Sequence, residues 1–156
     1  MLKEQINLTL SRADDPPDGL GITIISTSEV ISPGGILKMV HSVWSVVSKW
    51  GRWCDDELGE WPTLEECLKS LPKWFQISLK NTPEGDIENW IDDLHDRQWI
   101  WWSGAEIGSG IKIDIVTDSL PASYWTLEFV INSAGGEIIY KDMWLNSNQA
   151  KNLLIT

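Results

Sequence analysis

The sequence predicts an α+β fold, with an antiparallel sheet (an N-terminal strand pair plus a C-terminal meander) packed against about three helices. Three observations predict it. Apolar residues recur at helical spacing in three segments before residue 97. From Gln98 onward the period falls to two. The alternating segments are joined by short turns rich in Gly and Pro. At 156 residues, 42% hydrophobic and 22% charged, the chain fits a single domain, 1–156, that buries one core without staples.

Residues Glu4 to Leu10 alternate, with Ile6, Leu8 and Leu10 on one side, which predicts a half-buried strand. The loop Asp14-Asp15-Pro16-Pro17-Asp18-Gly19 cannot continue a ladder, and Gly21 to Ser26 is the second strand of the pair. Gly34-Gly35 releases the chain into a helix whose stripe is Ile36, Val40, Val43, Val47 and Trp50, stopped by Gly51. Thr63-Leu64-Glu65-Glu66 has the form of a capping box, with Leu64, Cys67, Leu68 and Leu71 facing the core and Pro72 ending the helix. A third helix starts near Thr82-Pro83, a hydroxyl cap before a proline, and carries the stripe Ile87, Trp90, Ile91 and Leu94.

Trp99-Ile100-Trp101-Trp102 is apolar on both faces and is expected as a central strand. Ile111, Ile113 and Ile115 alternate with Lys112 and Asp114. Trp125, Leu127, Phe129 and Ile131 alternate with Thr126 and Glu128, and Ile138 and Tyr140 with their polar neighbours. Turns at Gly108-Ser109-Gly110, Leu120-Pro121-Ala122-Ser123 and Ala134-Gly135-Gly136 would make these a meander with one wet face.

The composition narrows the function. Lys plus Arg number 12 against 23 Asp plus Glu, a formal charge of −11. Nucleic acid or an anionic membrane would need a basic footprint, so neither is expected as partner. The N-terminus lacks the apolar stretch of a signal peptide, and residues 35–50 are too short and polar to span a bilayer, so a cytoplasmic location is expected. Cys54 and Cys67 read as buried, reduced thiols. The eleven Trp residues read mainly as core, with Trp53 and Trp61, outside the clear stripes, as the ones expected to be partly exposed.

The acids are unevenly placed. Asp55, Asp56, Glu57, Glu60, Glu65 and Glu66 form one block and Glu84, Asp86, Glu88, Asp92, Asp93 and Asp96 another, neither interrupted by a basic residue. Like charges three or four apart on a helix repel by a few tenths of a kcal/mol each, so the second block is either a solvated face or a docking surface.

Catalytic and metal readings find less support. Asp92-Asp93-Leu94-His95-Asp96 offers metal-ligand types but no second cluster, so no metal and no cofactor are expected. Two histidines give no case for a catalytic pair, and no spacing brings one to Cys54. Asp114 and Glu128 read as ion-paired with Lys112 and Lys141 on a wet sheet face rather than as a glycosidase pair. The glycines of residues 104–110 lead into a strand, so they lack the helix N-terminus that a dinucleotide loop requires. A sugar-stacking role for the tryptophans would need an exposed platform, whereas most fall on apolar stripes.

An early strand pair, Trp-rich helices with acidic faces and a closing meander from Trp99 to Tyr140 make the chain resemble, in general organisation, the immunity proteins of bacterial contact-dependent inhibition and polymorphic toxin systems. The resemblance implies a non-enzymatic acidic cytosolic binder that neutralises a cognate toxin, commonly a basic nuclease domain, by occluding it. The contact residues expected from the charge and Trp placement are Asp55, Asp56, Glu57, Glu60, Trp53, Trp61, Glu88, Asp92, Asp93 and Asp96. The alternatives are a small enzyme with a site the sequence does not reveal, and an adaptor subunit of a larger assembly.

Overall fold

The computed structural model describes residues 2–55 and 59–155. Four antiparallel strands form one sheet: β1 (Leu20–Thr27), β2 (Trp99–Ile107), β3 (Gly110–Thr117) and β4 (Glu137–Met143), in the order β2-β3-β1-β4. Seven helices accompany it among the described residues: α1 (Lys3–Asn7), α2 (Pro33–Trp50), α3 (Leu64–Ser70), α4 (Lys73–Lys80), α5 (Glu84–Asp96), α6 (Trp125–Ser133) and α7 (Ser147–Ile155). The α+β class and the antiparallel sheet are as the sequence predicts. The helix number and the connections are not.

The helices α2, α3 and α5 lie where their apolar stripes place them. Ser32 accepts the Gly35 amide at the start of α2, Pro33 takes the first helical position, and Gly51 ends the helix at φ 76°. The capping box of α3 is present in both directions, Thr63 Oγ1 accepting from the Glu66 amide and Glu66 Oε1 from the Thr63 amide. Thr82 does not cap α5; its hydroxyl donates to the Ser78 carbonyl, and Pro83 precedes the first turn. Helix α4 is absent from the sequence reading. It is short, and only Phe75 and Leu79, four apart, are buried on it.

Two predicted strands are helices. Residues 3–7 coil as α1 because Glu4 and Asn7, three apart, both turn inward to the edge of β2. Glu4 Oε2 accepts from the Trp101 amide at 2.7 Å, and Asn7 Nδ2 donates to the Trp101 carbonyl at 2.8 Å. Satisfying an open sheet edge outweighs the weak Ile-Leu alternation, which leaves Ile6 and Leu10 half in solvent. Residues 125–133 coil as α6, burying Leu127, Val130 and Ile131, with Ala134 buried just beyond its end. That set repeats at three and four; the alternation of Trp125, Leu127, Phe129 and Ile131 with Thr126 and Glu128 concealed it.

The meander is therefore replaced by a β2–β3 hairpin, turned at Gly108 (φ 54°), and a crossing through α6 that pairs β4 with β1. The Leu120–Ser123 and Ala134–Gly136 turns join β3 to α6 and α6 to β4 rather than making hairpins. Trp99–Trp102 lies at a sheet edge, not the centre, although it is covered on both faces.

On the helical face, Ile22 and Ile24 of β1 and Ile111, Ile113 and Ile115 of β3 meet Val40, Val43, Trp44 and Val47 of α2. Trp44 stacks on Trp99 at 5.5 Å. The opposite face is not wet. Residues 12–19 and α7 cover it, and every residue of β3 is buried. Lys112 and Asp114, expected in solvent, are a fully buried ion pair. Lys112 Nζ also donates to the Ala13 carbonyl at 2.8 Å, and the Thr23 hydroxyl to Asp114 Oδ1 at 2.7 Å. The pair staples the covering loop onto the sheet, and burial pushes the Asp114 carboxyl above the ordinary carboxylate range.

Candidate protein-binding surface

Helix α5 forms because an apolar stripe, Trp90, Ile91 and Leu94, can be buried against the core while the rest of its circumference faces outward. It holds six acids and no Lys or Arg, and all six, Glu84, Asp86, Glu88, Asp92, Asp93 and Asp96, are exposed. At 100° per residue, Glu84, Glu88, Asp92 and Asp96 trace one diagonal column. Asp86 and Asp93 lie on the flank toward α6. No ion pair among the described residues reaches any of the six. Asp93 alone has a side-chain partner, accepting the Trp125 indole N–H at 2.6 Å.

The segment after α2 packs on the C-terminal end of α5. The Trp53 amide donates to the His95 carbonyl at 2.7 Å. The ring of His95 stacks on Trp61 at 4.0 Å and meets Trp53 edge-on at 5.7 Å. Trp61 in turn contacts Trp50 at 6.0 Å, which ties the cluster to the core. Trp53 is 72% exposed, the most exposed tryptophan, and Trp61 is half-buried. The two regions that the sequence singles out separately thus meet at His95, a residue that sequence reasoning weighed as a metal ligand or a member of an enzyme pocket and not as part of an aromatic cluster. Its role depends on a contact more than thirty residues long, which leaves no local signal.

The remaining expected contact residues divide. Asp55 is not free: it closes a turn by accepting from the Arg52 amide at 2.7 Å and pairing with the Arg52 guanidinium at 2.8 Å. Glu60 is exposed. Asp56 and Glu57 lie outside the described residues. In α3, Glu65 pairs with Lys69 at 2.8 Å, and the hydrogen bonds of the Thr63 cap hold the Glu66 carboxyl below its usual range. Cys54, expected buried, is exposed, because the segment carrying it runs over the surface; Cys67 is buried, and desolvation raises its thiol pKa to about 11.

The chemistry elsewhere is less open. A groove of about 560 Å³ lies between α2, the edge of β2 and residues 8–11, and His41 lines it. Both His41 nitrogens are engaged: Nε2 with the Leu8 carbonyl at 2.9 Å and Nδ1 with the Ser45 hydroxyl at 3.2 Å. Gly104 is needed beside that groove, since a Cβ there would lie 2.6 Å from the Trp101 ring. Glu128 pairs with Lys141 at 3.1 Å. Among the described residues no group of three or more His, Cys, Asp or Glu side chains is placed to hold a metal ion, and no helix is long and apolar enough to cross a membrane. Searches with family models, curated proteins and solved structures found no match to this chain.

Proposed function

We propose that the chain is a protein-binding module that covers a cationic surface with α5 and the Trp53–His95–Trp61 cluster, in the manner of an immunity protein that occludes a basic toxin domain. The supporting observation is the six exposed carboxylates of α5 with no cationic partner among the described residues. A face of one sign raises the rate of encounter with the opposite sign, and an exposed aromatic at its end slows release. Its contacts are Glu88, Asp92, Asp93 and Asp96 with Trp53, Trp61 and Glu60; binding, not turnover, is the activity.

The test uses wild type and the triple variant Glu88→Lys, Asp92→Lys, Asp96→Lys as baits in native lysate at low and high salt. Wild type should retain a basic protein at low salt and release it at high salt, and the purified pair should lose the partner's activity. The variant should retain little. Equal retention by both baits would remove α5 from the interface. The absence of any salt-sensitive basic partner would overturn the reading.

A further inference from the structure

The flank of α5 turned toward α6 carries more than charge. A cavity of about 350 Å³ opens between the two helices, lined by Thr82, Asp86, Asn89, Asp93, Trp125 and Phe129. Its walls differ in kind. Asp86, Asn89 and Asp93 recur at three and four along α5 and so stand on one side. The rings of Trp125 and Phe129 stand on the other, edge to face with centroids 6.4 Å apart.

The aromatic wall is fixed. The Trp125 indole is held by Asp93 Oδ2, and Phe129 packs edge-on against Phe75 at 5.9 Å in the core. The polar wall is left open by the chain itself: among the described residues no donor reaches Asp86, Asn89 or Asp93 Oδ1. No Lys or Arg lines the cavity. Acceptors without donors opposite a fixed π-face make a receptor for a flat cation, which lays one face on the ring and turns its N–H groups to the carboxylates.

We infer that this cavity binds an arginine side chain. The inference deepens the docking reading and rests on it for the source of the arginine, a residue of the cationic partner. A guanidinium suits the cavity better than an ammonium because it stacks and forks at once. An arginine anchored here would fix the register of a surface that charge alone would hold only loosely.

The cavity can be probed without any partner. The intact, isotopically labelled protein is titrated with N-acetyl-arginine methylamide, and the Trp125 indole N–H resonance is followed. The neutral isostere N-acetyl-citrulline methylamide and the lysine analogue are run in parallel. Arginine should give a saturable shift centred on Trp125, lysine a weaker one, and citrulline none. Asp86→Asn, a surface change that leaves the Trp125–Asp93 bond in place, should weaken arginine binding by about tenfold, the size expected for losing one charged hydrogen-bond acceptor. Equal shifts with citrulline, a shift that never saturates, or unchanged affinity in Asp86→Asn would each overturn the inference. If the probe fails while Glu88→Lys, Asp92→Lys, Asp96→Lys still abolishes capture, the cavity is wrong and the docking face stands. If the probe binds while capture ignores that triple variant, the reverse holds.

Discussion

Carboxylates inside this protein and carboxylates on α5 are treated in opposite ways. Glu4, 4% exposed, is met by the Arg97 guanidinium, the Trp101 amide and the Trp44 indole N–H at 3.1 Å. Arg97 lies beside the stacked rings of Trp44 and Trp99, 5.8 and 5.7 Å from their centroids, and donates to the Leu94 carbonyl at 2.7 Å. Asp114 is likewise surrounded by Lys112 and Thr23. Among the described residues, the six carboxylates of α5 receive one hydrogen bond between them. Burial would make a lone charge intolerable, and both of these inner carboxylates are paired, whereas the outer helix is left to solvent or to a partner. Elsewhere on the surface acids do have cations beside them, Asp55 with Arg52, Glu65 with Lys69 and Glu128 with Lys141.

Removing an inner cation is the most disruptive way to break this contrast. Arg97→Met leaves Glu4 buried without its counter-charge and should cost about 3–5 kcal/mol of unfolding free energy, measured by denaturant titration. A loss below about 1 kcal/mol would show that the inner pair is as dispensable as a surface one.

The outer acids should behave otherwise. The triple variant Glu88→Lys, Asp92→Lys, Asp96→Lys should change the unfolding free energy by no more than about 0.5 kcal/mol per site, and any shift should be stabilising, as Glu84 gains a cation four residues on and cations replace aspartates near the C-terminal end of the helix. Marked destabilisation would mean that these carboxylates support the fold.

The smallest effect is expected at Glu66. Its cap to Thr63 holds its folded-state pKa below the ordinary value of 4.5. The stability it adds is present above 4.5 and lost as pH falls through the folded value. Glu66→Gln, followed by denaturant titration from pH 6 to pH 3, should therefore lose less stability on acidification than wild type. An identical acid slope would remove the cap from the account.

The parts of the fold that could be read from the sequence are those where the pattern was local. The stripe of α2, the capping box of α3 and the alternation in β1, β3 and β4 each rest on residues a few positions apart. The failures share a long-range cause. Residues 3–7 form a helix because Glu4 and Asn7 answer Trp101, almost a hundred positions away. Lys112 and Asp114 look like a wet face until the loop carrying Ala13 closes over them. For the candidate surface, the acid spacing of α5 was legible and so was the exposure of Trp53. That Asp55 was already paired, that His95 joins the two regions, and that Trp125 and Phe129 complete a cavity with Asp86 and Asp93 all depend on tertiary packing.

On the proposed docking reading, α5 stays unneutralised because a cationic surface covers it. Titration calorimetry of the captured partner against wild type and the Lys triple variant, over a series from about 0.05 to 0.5 M salt, addresses it most directly. Wild-type affinity should fall steeply with salt, while the variant should bind weakly with little salt dependence. Matching affinities and matching salt slopes for the two proteins would contradict it.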